Sequence, residues 1–527
     1  MQSVTGKCVF DKASLPHSWM IIGYILPMAL ACAGLAGLPI IMGIVSVVAA
    51  LLCCLIFGER TEALMVVTPY STLILSTAMT FYQGILAEQS AVVSLLTLFT
   101  GMWLLFLTVV FPSKRMTWIA RPVWHGICLG IIGTLVLQVV PVILGVTPDG
   151  SSWHSFFTTI LNWHNWNWPS LVLAILSVFL FLLWRTDYQP KALWLILLMW
   201  IIDLIWPFEL LGVATPMQQP WQFWSLQQVT QPDWLSIIFM SASVALFIYV
   251  EVCQHLAFKM QHNFVMASVS NIISAISGGM VVGLCRFSGR VYKIERRSLI
   301  ITLCLVCCTF YLWWSAQVPL PVLAVIVLYM MYCQFKWSEL TLYKHQWGDL
   351  FLLFAAAFII LFLGILSGLW LVVSLSLIYM WWRVVREHAW PSMPTEIQIV
   401  NDVILITLPQ VLLFANARYL LDDVNNKVKD LPFQHVYMDV SNGCRIGVTV
   451  MIYLQIFAHK MACQGKIIIL CGLNQQNLDK LALKQLNYLP KQQLSQNKAV
   501  DLLQTDLFCD HVTRYSVEEV MGIWKNT

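Results

Sequence analysis

The sequence predicts a polytopic α-helical membrane protein of about fourteen transmembrane helices, carrying a small α/β domain at its C-terminal end. Three observations predict it. Of 527 residues, 59% are hydrophobic and 11% charged, which is more apolar area than a soluble body can cover with polar surface. Apolar runs near the ~20 residues that cross a bilayer recur from Trp19 to Trp382. After Trp390 the pattern changes to alternating strand-like and helix-like runs. Residues 1–390 thus read as a transmembrane transport domain and 395–522 as a cytoplasmic domain.

Met1 to Trp19 carries Lys7, Asp11 and Lys12 without a short apolar stretch and cleavage site, so it reads as a cytoplasmic lead-in and not a removable signal. The candidate spans follow at 19–35, 38–57, 64–82, 90–111, 123–146, 168–184, 191–212, 234–256, 264–276, 280–290, 298–315, 319–335, 349–365 and 366–382. Lys and Arg gather in cytoplasmic loops. With both termini inside, those loops hold Arg60; Lys114, Arg115 and Arg121; Arg185 and Lys191; Lys259; Lys293, Arg296 and Arg297; Lys336 and Lys344; and Arg383 and Arg386. The long outward loops 147–167 and 213–233 contain neither Lys nor Arg. Trp163, Trp166 and Trp168 in the first of them read as an interfacial aromatic belt. In the C-terminal part, strand-like runs Glu396–Val400, Val403–Leu408, Val436–Val440 and Lys466–Leu470 alternate with helix-like Ala415–Lys429 and Val448–Lys460.

Composition excludes several function classes. A net charge of +4 without a basic block leaves no footprint for nucleic acid. The 15 cysteines are scattered, many of them (Cys53, Cys54, Cys304, Cys307, Cys308) inside apolar runs, and form neither a disulfide framework nor a zinc site. The 11 histidines show no metal spacing. With no nucleophile constellation or phosphate-cradling loop, the sequence offers neither an enzyme nor a cofactor or metal site, and the partner to expect is a small solute.

Transport folds built from inverted repeats bind solute at discontinuous helices in corresponding positions of the two halves. The third span is interrupted at Val67-Thr68-Pro69-Tyr70, where Thr can cap and Pro can occupy a first helical position. The tenth is interrupted by Gly278-Gly279 and Gly283 before Leu284-Cys285-Arg286. Third and tenth are equivalent in a seven-plus-seven arrangement, and two half-helix N-termini facing one another favour an anion. The alternative is that both interruptions are ordinary kinks. Ionisable residues within spans are costly and mark function. Arg286 could supply positive charge and Glu251 could carry a coupling H⁺ or help hold Na⁺, or the two could form a structural ion pair. Asp203 reads as an interhelical hydrogen-bonding group.

The run Leu26-Pro27-Met28-Ala29-Leu30-Ala31-Cys32-Ala33-Gly34-Leu35-Ala36-Gly37-Leu38-Pro39, with Gly43 and Phe57-Gly58, resembles the first two helices of the SulP sulfate permeases, relatives of prestin. Ile119-Ala120-Arg121-Pro122-Val123-Trp124-His125-Gly126 resembles that family's entry into its fifth helix. Thr68-Pro69 stands where the family has Gly-Pro, Glu251 falls on its eighth-helix Glu, and Asn271 with Gly278-Gly279 matches its ninth-to-tenth connection. Val436-Tyr437-Met438-Asp439-Val440-Ser441 and Ile446 resemble the STAS domain that follows these transporters.

The resemblance implies two inverted repeats, a core domain moving against a gate domain, a homodimer in the cell membrane, and symport or exchange of anions such as sulfate, bicarbonate or dicarboxylates. It places substrate against Met28, Cys32, Thr68, Pro69, Tyr70, Leu284, Cys285 and Arg286, with Glu251 as the coupling-ion candidate. Met28 stands where the family has Gln, and Cys32 where it has an aromatic residue. Ser-Arg-Ser becomes Cys285-Arg286-Phe287-Ser288, and the STAS phosphorylation loop becomes Gly447-Val448-Thr449-Val450, without the Ser. Two other readings stay open: a non-transporting membrane anchor or sensor whose STAS domain binds a cytoplasmic partner, and a nucleobase-type permease.

Overall fold

The computed structural model describes residues 14–57, 64–79, 86–110, 119–146, 152–183, 191–205, 213, 233–255, 260–285, 299–307, 318–335, 337–340, 343, 347–386, 396–400, 403–407, 435–439 and 467–471, and single positions 421, 424, 428, 454 and 457. Each of the fourteen expected spans has a counterpart. These are α1 (Ser14–Leu35), α2 (Ile40–Phe57), β1 (Leu64–Val66) leading into α3 (Pro69–Met79), α4 (Leu86–Val110), α5 (Arg121–Ile143), α7 (Trp168–Leu183), α8 (Lys191–Ile205), α9 (Trp234–His255) and α10 (Met260–Ile276). They continue with β2 (Gly283–Cys285), α11 (299–307), α12 (Leu320–Gln334), α14 (Trp347–Leu363) and α15 (Ile365–Arg386). Among the described residues five helices, on α2, α4, α5, α9 and α15, are long and apolar enough to cross a membrane unaided.

Two expectations need correction. The lead-in is shorter than read, because α1 begins at Ser14 and not at Trp19. The segment 147–167, read as an outward loop, contains helix α6 (Ser152–Leu161). Its Trp153 Nε1 donates to the Leu361 carbonyl at 3.1 Å, and the Trp153 ring stacks on Phe362. Trp153 thereby pins α6 to the end of α14. Helix α13 (Trp337–Leu340) is a further single turn.

The packing is inverted relative to a soluble protein. On α7 the buried residues are Ser170, Ala174, Ser177 and Phe181, while Val172, Ile175, Phe179 and Leu182 face outward. On α14, Leu353, Ala356 and Ile360 are buried beneath an outward stripe of Phe351, Phe354, Phe358 and Phe362. Small residues inside and large apolar residues outside are what lipid solvent selects, because interhelical approach there comes from close packing.

Glycines set that approach. A Cβ on Gly43 of α2 would lie 2.5 Å from the Ala29 carbonyl oxygen of α1, and one on Gly101 of α4 would lie 2.7 Å from Ile272 of α10. A Cβ on Gly130 of α5 would lie 2.6 Å from Ile360 of α14. These contacts sort the helices into two packed sets. One holds α1, α2, α3, α4, α9 and α10 with the two short strands, and the other holds α5, α6, α7, α12 and α14; α12 packs against α1 across the seam. We call the first the core set and the second the gate set; α8 packs mainly on α1, and α15 touches α3 and α9 as well as α5 and α14.

In the C-terminal part four strands form one sheet in the order β3 (Glu396–Val400), β4 (Val403–Thr407), β5 (His435–Asp439), β6 (Ile467–Cys471). β3 and β4 pair antiparallel, with Glu396 opposite Thr407, and β4–β5 and β5–β6 pair parallel. Parallel neighbours require crossover connections, usually helical. In the first crossover, the helical positions Leu421, Val424 and Val428 are all buried and share one face by their spacing. The four strand-like runs of the sequence are thus strands.

Candidate functional site

The two interrupted spans meet. β1 and β2 pair antiparallel, with Leu64 opposite Cys285, Met65 opposite Leu284 and Val66 opposite Gly283. All six residues are buried. Two short extended segments from opposite halves of the chain therefore satisfy each other's backbone in the interior, the condition under which non-helical backbone is tolerated at membrane depth.

Beyond β1 the chain turns at Thr68 into α3. Thr68 Oγ1 accepts the Ser71 backbone N–H at 3.2 Å and lies 2.9 Å from the Ser71 hydroxyl, which donates to the Thr68 carbonyl at 3.1 Å. Thr68 caps the helix and Pro69 is its first residue, as the Thr-Pro pair predicts. Thr68 is fully buried and Tyr70 nearly so, hence α3 starts inside the protein with its positive dipole end in the interior.

The approach to β2 begins at the end of α10. Gly278 has φ 74°, and its N–H reaches the Ala275 carbonyl at 3.0 Å while the Gly279 N–H reaches Ser274 at 2.7 Å. This is a Schellman stop, for which the left-handed residue is glycine. Next, every second backbone unit is gripped by a side chain from α2, α9 or α10 itself. Ser46 Oγ of α2 accepts the Met280 N–H at 2.6 Å, and Ser274 Oγ donates to the Met280 carbonyl at 2.8 Å. Asn271 of α10 takes both sides of Val282, its Oδ1 accepting the N–H and its Nδ2 donating to the carbonyl, each at 3.0 Å. Glu251 Oε2 of α9 accepts the Leu284 N–H at 3.2 Å. The alternation follows from the two-residue period of an extended chain. There is no room to spare, because a Cβ on Gly283 would sit 2.9 Å from Thr68 Oγ1 and 3.1 Å from Glu251 Oε2.

Of the residues expected at the site, Thr68, Pro69, Tyr70, Leu284, Cys285 and Glu251 belong to this junction. Met28 and Cys32 of α1 are brought to it as well, both buried. Cys32 neighbours Thr72 of α3 and also Cys285, and Met28 and Cys285 are both reached by Gln334 of α12. Tyr70 packs on Phe247, with ring centroids 6.0 Å apart, and Phe247 on Trp124 of α5 at 5.4 Å. Arg286 lies outside the described residues, and with it the Glu251–Arg286 ion pair. Asp203 lies on α8, outside the elements that form the junction.

Sequence reasoning missed Tyr24, Ser46, Thr72, Ser274 and Gln334. Ser46 and Ser274 carry no signal, since serines in membrane helices usually bond to their own backbone, as Ser46 also does to Met42. Gln334 had one, being a lone amide at the end of an apolar helix. Among the described residues no group of three or more His, Cys, Asp or Glu is arranged to hold a metal ion.

Comparison with known proteins agrees with this architecture. The model of the sulfate permease family matches residues 15–356. Two curated relatives, both probable sulfate transporters of Mycobacterium tuberculosis (strains CDC 1551 / Oshkosh and ATCC 25618 / H37Rv), are each 27% identical, over 179 and 183 residues. Those alignments cover 33% of this chain and 31% of each relative, so the chain matches about a third of their length. Among solved structures, SLC26A9 superposes with a TM-score of 0.60 at 14% identity over 89% of this chain and 85% of that one. The transmembrane domain of a cyanobacterial bicarbonate transporter, BicA, gives 0.55 at 18% identity over 69% of this chain and 96% of that domain. At these identities the superpositions establish the fold.

Proposed function

The chain belongs to the sulfate permease family, a family of membrane transporters and not of enzymes, and from that premise we propose that it carries a small anion across the membrane by alternating access. The anion class is sulfate, bicarbonate or a dicarboxylate. It binds where the α3 N-terminus faces the end of β2, against Met28, Cys32, Thr68, Pro69, Tyr70, Leu284, Cys285 and Arg286. The observation that carries this reading is the β1–β2 pairing, which aligns the two interrupted spans in one buried junction. The α3 start contributes N–H groups and the positive end of its dipole, and Arg286, directly after β2, contributes a full charge. Glu251 couples the cycle to H⁺ or Na⁺. Because it also holds the Leu284 N–H, a change in its charge acts directly on β2.

The core set moves against the gate set, with the α1–α12 seam as the sliding surface. Both termini face the cytoplasm, the chain works as a homodimer in the cell membrane, and the C-terminal sheet is a STAS domain. Its β3-β4-β5-β6 order supports that assignment.

Thermal unfolding of the detergent-purified chain tests the anion assignment, with sulfate, bicarbonate, oxalate, fumarate, chloride and uracil compared at matched ionic strength. A ligand at a hundredfold excess over its Kd stabilises the folded state by about 2.7 kcal/mol. One anion shifting the transition in the parent but not in Arg286→Ala is the expected result. A shift from neutral uracil alone would overturn the anion reading in favour of a nucleobase-type permease.

A further inference from the structure

The wall of the junction carries two polar groups that its backbone network does not use. Gln334, the last residue of α12, sends its side-chain amide across the seam, with Nε2 3.3 Å from Met28 Sδ and 3.6 Å from Cys285 Sγ. Both sulfurs are weak acceptors, so these amide hydrogens rest on partners that an oxyanion would readily replace. The Tyr24 hydroxyl lies beside the same amide. Across the sulfur wall stands Thr72, in the first turn of α3. It is 4% exposed, and its hydroxyl has no partner beyond the weakly bonding Cys32 thiol beside it. A buried hydroxyl in that state is disfavoured unless something completes it. The Cys32 thiol neighbours both Thr72 and Cys285, so Met28, Cys32 and Cys285 link the two polar groups by successive contacts.

We propose that Gln334 and Thr72 are the solute's specificity-determining hydrogen-bond donors, the amide reaching it from the gate set and the hydroxyl from the core set. The proposal rests on the transport reading above and extends it to two residues on elements that move relative to one another. A bound oxyanion accepts from the Gln334 amide and the Thr72 hydroxyl at once. It thereby bridges the sets and completes a buried donor that the solute-free fold leaves poorly satisfied. Both donors are neutral, so they select by hydrogen-bond geometry and leave charge recognition to the α3 N-terminus and Arg286.

The test compares the full-length parent with Gln334→Glu, Gln334→Met and Thr72→Val, measuring stabilisation by sulfate, bicarbonate and oxalate as a function of concentration. Gln334→Glu removes both amide N–H groups and adds a like charge, and should weaken binding by roughly a hundredfold or more. Gln334→Met and Thr72→Val should each weaken it by about tenfold. Thr72→Val distinguishes a binding role from a structural one. It gives up at most a weak contact with the Cys32 thiol in the solute-free fold, so its unliganded transition should stay close to that of the parent while its anion affinity falls. If the parent binds one of these anions and Thr72→Val and Gln334→Met bind it within about twofold of the parent, the assignment of these two residues is overturned and the transport reading stands. A parent that binds none of the three overturns the transport reading, and the assignment with it.

Discussion

Asn271 shows at the scale of a single residue how the junction is held. Its amide satisfies both backbone groups of Val282 and also reaches the Ala267 carbonyl at 2.9 Å, so one side chain fastens the extended approach to β2 onto α10. Asn271→Leu keeps the volume and leaves the Val282 N–H and carbonyl buried without partners, at a cost of about 1–3 kcal/mol each. The expected outcome is a lowered unfolding temperature together with lost anion binding, read from the same melting curves. Glu251 and Thr68 could be singled out from the sequence, because a carboxylate inside a span and a Thr-Pro pair are each unusual in lipid. Ser46 and Ser274 on the approach to β2 could not, because a serine that bonds its own helix and one that reaches another segment look identical in sequence.

At the scale of elements, lipid removes the hydrophobic drive between helices and leaves close packing to decide which pairs form. The α5–α14 contact rests on Gly126 and Gly130, whereas Gly133, one turn further along, meets only the flexible end of Leu361 at 3.0 Å. Gly130→Ala must push a Cβ into Ile360 and the Ala357 carbonyl, and should cost about 1–3 kcal/mol. Gly133→Ala, with room to adjust, should be close to neutral; melting temperatures of the two purified variants check the contrast. The spans were legible because runs of twenty apolar residues have no soluble explanation, and the four C-terminal strands because their β-branched runs are bounded by polar breaks. Helix α6 was not. It is short, at ten residues, and its tie to α14 through Trp153 leaves no mark in the sequence. The start of α1 was hidden for a related reason, since Ser14 to Ser18 is too polar to register as a span while remaining compatible with a helix.

For the whole molecule, the sequence suggests two halves that place breaks in corresponding spans, and the fold joins those breaks as a two-stranded antiparallel pair. The central claim is that this junction is where an anion binds and is moved. Gly283 is a close point within it, since it lies opposite Val66 and a Cβ there would press on Thr68 and Glu251. The measurement that bears on the claim most directly is uptake of labelled sulfate and bicarbonate into proteoliposomes containing the parent or Gly283→Val, each confirmed folded by its melting transition. The account predicts uptake of one of these anions by the parent above protein-free vesicles, and its loss in Gly283→Val. Equal uptake by parent and variant would contradict the junction as the site. Uptake of neither anion by a folded parent would contradict transport of these anions and point instead to a membrane anchor or sensor.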